Sequence, residues 1–394
     1  MEDFFQLFKN NKIRSTLINI LISSIIFFIF IGILEIILCN TYTFTTNPWL
    51  KLDPILGRRL VPGCKYRYMR ENDHPVTVTI NSYGWRDKEW SLKKPKNTYR
   101  IAVLGDSMVQ SEDIESDRTF LSLAEQQFNE DAQHLKIELM NFGQSNISQA
   151  EELLILKNDV MQFLPDMVLL FFFPTNDIYD VAKNTTLNVS RPFYHVSEKG
   201  ELLLDTRFSE TREYKIRCVL NFFKQHSTLI AFISERYFGY VQQRKIRAKN
   251  LSTAEGTGIL PKYLSLCTTN PCETLFKNYQ LNKMLIKAMS EYCKEKSIQF
   301  MLVTVDMPTI YIPENEKKYK TIDPSFNANF FEDDLRNYAA SLNIEYLGLQ
   351  RIFKIVYENT GVPLHWAHWN YHGHRVVANA LVNKLKSISI INSN

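Results

Sequence analysis

The sequence predicts an α/β protein: a parallel sheet with helices on both faces, preceded by one apolar helix. Three observations carry this prediction. From Tyr99 onward, short apolar runs alternate with segments of helical spacing, the pattern of a parallel sheet covered on both sides. One of these runs, Met167 to Phe173, is apolar without a break, as a strand buried on both faces requires. Ahead of them, Thr16 to Leu38 is almost wholly Leu, Ile and Phe, enough to cross a hydrocarbon core of roughly 30 Å at about 1.5 Å per residue.

The chain has 394 residues, 45% of them apolar and 22% charged, a globular composition of one large or two modest domains. A net charge of +4 without a dense basic stripe argues against a nucleic-acid partner. The apolar run at residues 16–38 reads as an uncleaved transmembrane anchor. A signal peptide would carry a shorter apolar stretch and small residues at its exit, whereas this one leaves through Ile36-Ile37-Leu38-Cys39-Asn40. Lys9, Lys12 and Arg14 precede it, and the next basic residue is Lys51. This bias puts residues 1–15 in the cytoplasm and the rest of the chain outside.

Thr41 to Asp53 reads as a linker, and residues 41–98 as linker plus an N-terminal β extension. That extension has a β-branched strand at Val76 to Ile80 and a turn over Asn81 to Asp87. The main domain, residues 99–390, opens with a strand at Arg100 to Leu104 that ends in Gly105-Asp106-Ser107. A helix is predicted over Thr119 to Asn129, a strand over Ile137 to Asn141, a helix over Ser148 to Phe163, and then the strand from Met167. The alternation resumes with a helix over Thr274 to Lys294, a strand over Ile298 to Val305 and a helix over Phe331 to Leu342. A short strand at Ile344 to Leu347 and a helix at Tyr371 to Leu385 complete it. The stretch from Lys183 to Cys272 is too long for a βα loop and reads as an insertion. It either packs on the domain, covers the site as a lid, or lies on the membrane. Cys267 and Cys272 flank Thr-Thr-Asn-Pro, a loop expected to close as a disulfide in an oxidising compartment.

Function in such a sheet lies beyond the C-terminal ends of the strands. Ser107 stands there after the first strand, where a turn toward a helix exposes its hydroxyl and aims backbone N–H groups at an oxyanion; its bland alternative is a helix cap. The second strand ends at Gly143 and the third at Asn176, one a possible backbone donor and the other a side-chain N–H₂ donor. Taken singly, each is equally a turn or capping residue. Near the C-terminus, His368-Trp369-Asn370 precedes Gly373-His374-Arg375. His368 could serve as the base that a hydroxyl nucleophile needs; His374 more naturally packs or caps, and His372 faces solvent.

In this order, Gly105-Asp106-Ser107, Gly143, Asn176-Asp177 and His368 resemble the blocks of the SGNH (GDSL-type) hydrolase family, over roughly Arg100 to Leu385 with the insertion unmatched. Asn81 to Asp87 is similar to a segment that precedes the domain in some membrane-anchored members. The resemblance implies a flavodoxin-like three-layer α/β/α fold, Ser107 as nucleophile, His368 as base, and Ser107, Gly143 and Asn176 around the oxyanion. It implies ester hydrolysis or O-acyl transfer without a cofactor or metal, on an ester-bearing cell-envelope glycan or lipid, by an extracytoplasmic domain anchored in the cell membrane.

One departure stands out. The family usually places an Asp two or three residues before the His, to orient its ring and offset its charge. Here those positions are His365 and Trp366. Three explanations stay open: a Ser107–His368 dyad with His365 or a carbonyl orienting the ring, an acid such as Asp306 from the fourth strand end, or a degenerate site. The last would make the protein a glycan- or acyl-binding or assembly module.

Overall fold

The computed structural model describes residues 11–130, 135–250 and 260–388. Helix α1 (Asn11–Thr41) is mostly exposed along its length and, among the described residues, is the one helix long and apolar enough to cross a membrane. The cytoplasmic flank expected over residues 1–15 falls largely outside the described residues.

Next come two antiparallel hairpins: β1 (Leu50–Asp53) with β2 (Gly57–Leu60), and β3 (Lys65–Tyr68) with β4 (Val76–Thr79). Strand β4 alternates buried Val76 and Val78 with exposed Thr77 and Thr79, as a strand with one face on a core must. The stretch read as a linker does not hang free. Phe44 is buried and bridges to Tyr68, packed with Leu60, Tyr66, Val78 and Ile80. Phe44 is a core residue of the extension, with Tyr42 and Trp49 half-buried against it.

The main sheet is five-stranded and parallel: β5 (Thr98–Gly105), β6 (Lys136–Gly143), β7 (Met167–Phe172), β10 (Gln299–Thr304) and β11 (Glu345–Gly348). Their order across the sheet is β11-β10-β7-β5-β6. Counting only these five in chain order gives 2-1-3-4-5, the flavodoxin-like arrangement, whose crevice opens at the first and third strands. Every residue of β7 is buried, as its unbroken apolar run demands at the centre of a covered sheet.

Helices cover both faces. In chain order they are α2 (Ser107–Gln110), α3 (Phe120–Glu130), α4 (Gln149–Ile155), α5 (Asn176–Asp180), α6 (Arg212–Gln225) and α7 (Thr228–Asn250), then α8 (Glu273–Glu295), α9 (Pro313–Ile322), α10 (Phe330–Leu342), α11 (Gln350–Thr360) and α12 (Tyr371–Ser387). One buried cluster on one side of the sheet holds Leu104, Phe142, Leu170 and Leu302 with α4, α8 and α10. The other holds Val103, Leu139, Leu169 and Val303 with α3, α11 and α12. The alternating side chains of each strand thus feed two cores, which gives three layers.

The insertion begins with the β8 (Phe193–Val196) and β9 (Leu202–Asp205) hairpin and continues through α6 and α7. Cys267 and Cys272 are free thiols rather than a disulfide. Cys267 closes a 3₁₀ turn and points into the core, where burial pushes its thiol up to about 12, while Cys272 sits at the start of α8.

Candidate active site

Ser107 opens α2 at the C-terminal end of β5. Asp106 caps this helix by accepting the Met108 amide at 2.9 Å, the usual role of an Asp before a first helical turn. The turn lies hard against β6. A Cβ on Gly143 would stand 2.5 Å from the Gln110 nitrogen, so glycine is what lets the Ser107 turn sit so close to the neighbouring strand end. Buried Arg86, from the extension, donates to the carbonyls of Gln110 and Ile114 and holds the far end of α2 in place.

His368 comes from the loop before α12, where Asn370 caps the helix by accepting the His372 and Gly373 amides. Its Nε2 lies 2.8 Å from Ser107 Oγ, within reach for taking the hydroxyl proton. Its Nδ1 lies 2.7 Å from Oε1 of Glu71. The other carboxylate oxygen of Glu71 accepts the backbone amides of Ala367 at 2.9 Å and His368 at 2.7 Å. Glu71 therefore holds both the ring and the backbone that carries it.

Burial opposes charge on Glu71, but the His368 ring and the two amides outweigh it and hold the carboxyl down at about 2. Burial likewise opposes charge on His368, yet the Glu71 hydrogen bond and charge, with help from Asp106, raise its pKa above the ordinary imidazole value. A Ser–His–carboxylate chain with an ionised acid is the arrangement that activates a hydroxyl and stabilises the imidazolium it creates.

His365 is not the ring's orienter. Its imidazole packs against the Tyr311 and Phe353 rings, and its Nε2 is 3.3 Å from Asp306 Oδ2. Asp306 does not reach His368 either; it accepts the Trp369 indole N–H at 2.9 Å. The two residues form a buried structural pair beneath the His368 loop. Accordingly, His365→Ala should leave the acid limb of the pH–rate profile in place. His365→Asp should not raise the rate. It sets a second carboxylate beside buried Asp306 and should lower unfolding stability by about 3 kcal/mol, the scale of an uncompensated buried charge; parallel kinetics and chemical denaturation check both.

The other two sequence-predicted residues sit at the same sheet edge but differ in what they offer. Gly143 is paired with Gly105 in the β5–β6 register, and its single N–H goes to Asn141 Oδ1 at 2.8 Å. That proton is already engaged, so the amide is not an open oxyanion donor; the contribution of Gly143 here is its missing side chain. Asn176 donates to Asp106 Oδ2 at 2.6 Å, and its amide nitrogen carries a second hydrogen. Burial raises Asp106 to about 6, against the pull of the Met108 amide, the His368 charge and Asn176. Asp177 anchors this strand end by accepting the Phe173 amide at 2.7 Å. Buried His374 lines the floor of the site and caps α3, its Nδ1 accepting the Phe120 amide at 3.0 Å.

Glu71 occupies the loop joining β3 to β4, and several contacts clasp that loop to the main domain. Its own amide donates to Asp113 Oδ1 at 3.0 Å. Buried Asn72 donates to the Asp113 carbonyl at 3.0 Å and the Tyr371 hydroxyl at 2.8 Å, and that hydroxyl donates to Glu115 at 2.7 Å. Loosening this clasp should misplace the acid without touching it. Asn72→Ala is expected to lower kcat by about tenfold, the low end of what a positioned base contributes, with KM little changed. Ligand atoms of Glu71, Asp113 and His368 lie within 4.8 Å of one another, but the Glu71–His368 hydrogen bond already uses the Nδ1 atom that a cation would need.

The cavity against Ser107 holds about 20 Å³ and is lined by Tyr68, Arg70, Ile114 and His368 among others, room for about one water molecule. The bulk of a substrate must therefore lie outside it. No protein-family model matches the chain, and no curated protein matches it. Several solved structures do. TesA is 9% identical, with 73% of this chain and 99% of that one covered at a TM-score of 0.35. A variant of Axe2, an acetyl xylan esterase from Geobacillus stearothermophilus, is 12% identical, with 73% and 94% covered at 0.39. A member of the lipolytic protein G-D-S-L family from Veillonella parvula is 11% identical, with 72% and 97% covered at 0.35.

Proposed function

We propose that the protein is a membrane-anchored serine esterase or O-acyltransferase that works through an acyl-Ser107 intermediate. The observation that carries this reading is the hydrogen-bonded chain Ser107–His368–Glu71 at 2.8 and 2.7 Å. His368 takes the hydroxyl proton as Ser107 attacks an ester carbonyl, and returns it to the leaving alcohol. Glu71 bears the negative charge that offsets the imidazolium. The Ser107 amide and the second hydrogen of the Asn176 amide are the donors for the oxyanion. Deacylation by water gives hydrolysis; deacylation by a sugar hydroxyl gives transfer.

The substrate class we propose is an ester-bearing glycan or lipid of the cell envelope, met by a domain outside the cytoplasm. The anchor's exposed apolar length and its basic leading flank support that location. A purely binding role would find its support in a missing acid, and Glu71 stands where that acid is needed. Incubation of the full chain with a fluorophosphonate tests the reading. Covalent labelling mapped to Ser107 and lost in Ser107→Ala is the expected result; an unlabelled wild-type protein would refute it.

A further inference from the structure

The insertion carries two apolar stripes that the described residues do not cover. On α6, Ile216, Val219, Leu220 and Phe223 follow one another at helical i, i+3, i+4, i+7 spacing, and all four are more than half exposed, from 51% to 64%. Ile230 and Ile233 continue the pattern on the exposed side of α7. Such spacing normally marks a face turned to a core. Beside it α6 carries Arg212, Lys215, Arg217 and Lys224, the basic flank of a helix that lies in a lipid interface.

The depth of this hairpin is set by α1. Glu35 lies within the apolar run, yet its carboxylate accepts the amides of Thr228 and Leu229 and the hydroxyl of Ser227. It caps the first turn of α7 across a long stretch of sequence, which satisfies helix-end donors that would otherwise be orphaned. Ile33, Ile36 and Ile37 of the anchor, on either side of Glu35, are exposed. Where those residues meet hydrocarbon, the α6–α7 turn stands at the same level, with Phe223 one helical turn from it.

The hairpin is also fixed to the extension. Glu235 of α7 accepts the Tyr42 hydroxyl at 2.7 Å and the Thr45 and Thr46 amides at 2.7 and 2.9 Å. Ala231 is buried in the cluster that holds Phe44 together with Tyr66 and Tyr68 of β3, the strand that leads to Glu71.

We infer that the tip of the α6–α7 hairpin is embedded in the phospholipid interface beside the anchor, as a second membrane contact that holds the active site at a fixed height over the bilayer. This rests on the reading of residues 16–38 as a membrane span. The test uses the full chain in its membrane, with a photoreactive benzoylphenylalanine replacing one residue at a time: Phe28 in the anchor, Phe223 or Leu220 on the hairpin, and Ile355, an exposed residue of α11, as control. Fluorophosphonate labelling of Ser107 checks that each variant is folded.

The expected result is a phospholipid adduct at Phe223 and Leu220 of the same order as at Phe28, and about tenfold or more above Ile355, since an interfacial helix buries its apolar face among acyl chains. Lipid adducts at Phe28 with none at either hairpin position would overturn the inference and leave the anchor standing. So would hairpin adducts to protein, from a second copy or from the chain's own cleft. Silence at Phe28 would refute the anchor and the inference together.

Discussion

Glu71→Gln is expected to lower kcat/KM for an ester substrate by about 10²–10⁴-fold, the range a positioned acid–base partner contributes. The substitution keeps the size of the side chain and one carbonyl oxygen for the Ala367 and His368 amides. It removes the charge that offsets the imidazolium. The pH dependence should move as well. His368 must be neutral to accept the Ser107 proton, so activity falls as pH drops through its pKa. In the wild-type protein that pKa is raised above the ordinary imidazole value by Glu71, against the opposing effect of burial. Without the carboxylate the opposing effect of burial remains, and the acid limb should shift to lower pH even as the plateau drops. A loss of rate with no movement of the limb would mean that Glu71 only holds the loop in place.

Ser107→Ala and His368→Ala should each remove nearly all turnover, a loss of about 10⁵–10⁶-fold, and the double substitution should cost little more than either alone. Residues that act as one unit are not additive, because the second has nothing left to assist once the first is gone. The expected residual rate, through donors such as the Ser107 amide and Asn176, is above that of water alone. Steady-state kinetics on a chromogenic ester with the two single variants and the double variant give the comparison. Additive losses would contradict a shared proton-transfer chain between the two residues, which lie 2.8 Å apart.

Much of this arrangement was legible in the sequence because it is local. The apolar runs that become β5, β6, β7 and β10 announce themselves by composition, and each ends within a residue or two of its expected place. Ser107, Asn176 and His368 could be placed at one edge because parallel strands all point the same way. Glu71 could not. It lies 297 positions from His368, in a turn whose Arg-Glu-Asn-Asp-His sequence looks like ordinary surface. The missing acid before His368 was the available signal: it called for a replacement, but Asp306, the acid the strand-end pattern offers, is taken up by the Trp369 indole.

His365 stands at a position where the family's acid is expected, but Tyr311, Phe353 and Asp306 pack around it and hold it in the core instead. The amide of Gly143 was likewise taken up by Asn141, two residues away. Helices α9 and α11 and strands β1 to β3 also escaped the reading. The three strands are only four residues each and α9 is mostly polar, too little pattern to rise above the surroundings; α11 did carry a signal, with Ile352, Phe353, Val356 and Tyr357 at helical spacing.

The most direct measurement of the central claim is the rate at which a fluorophosphonate labels Ser107, followed across pH in the wild-type protein and in Glu71→Gln. Labelling needs only a nucleophile, its base and the group that supports the base, whatever the natural substrate. The wild-type rate should follow deprotonation of a histidine with a raised pKa, and the variant should label at least about 10²-fold more slowly with its acid limb displaced downward. Equal rates and superimposable pH profiles would contradict the account, and would mean that the carboxylate against His368 takes no part in activating Ser107.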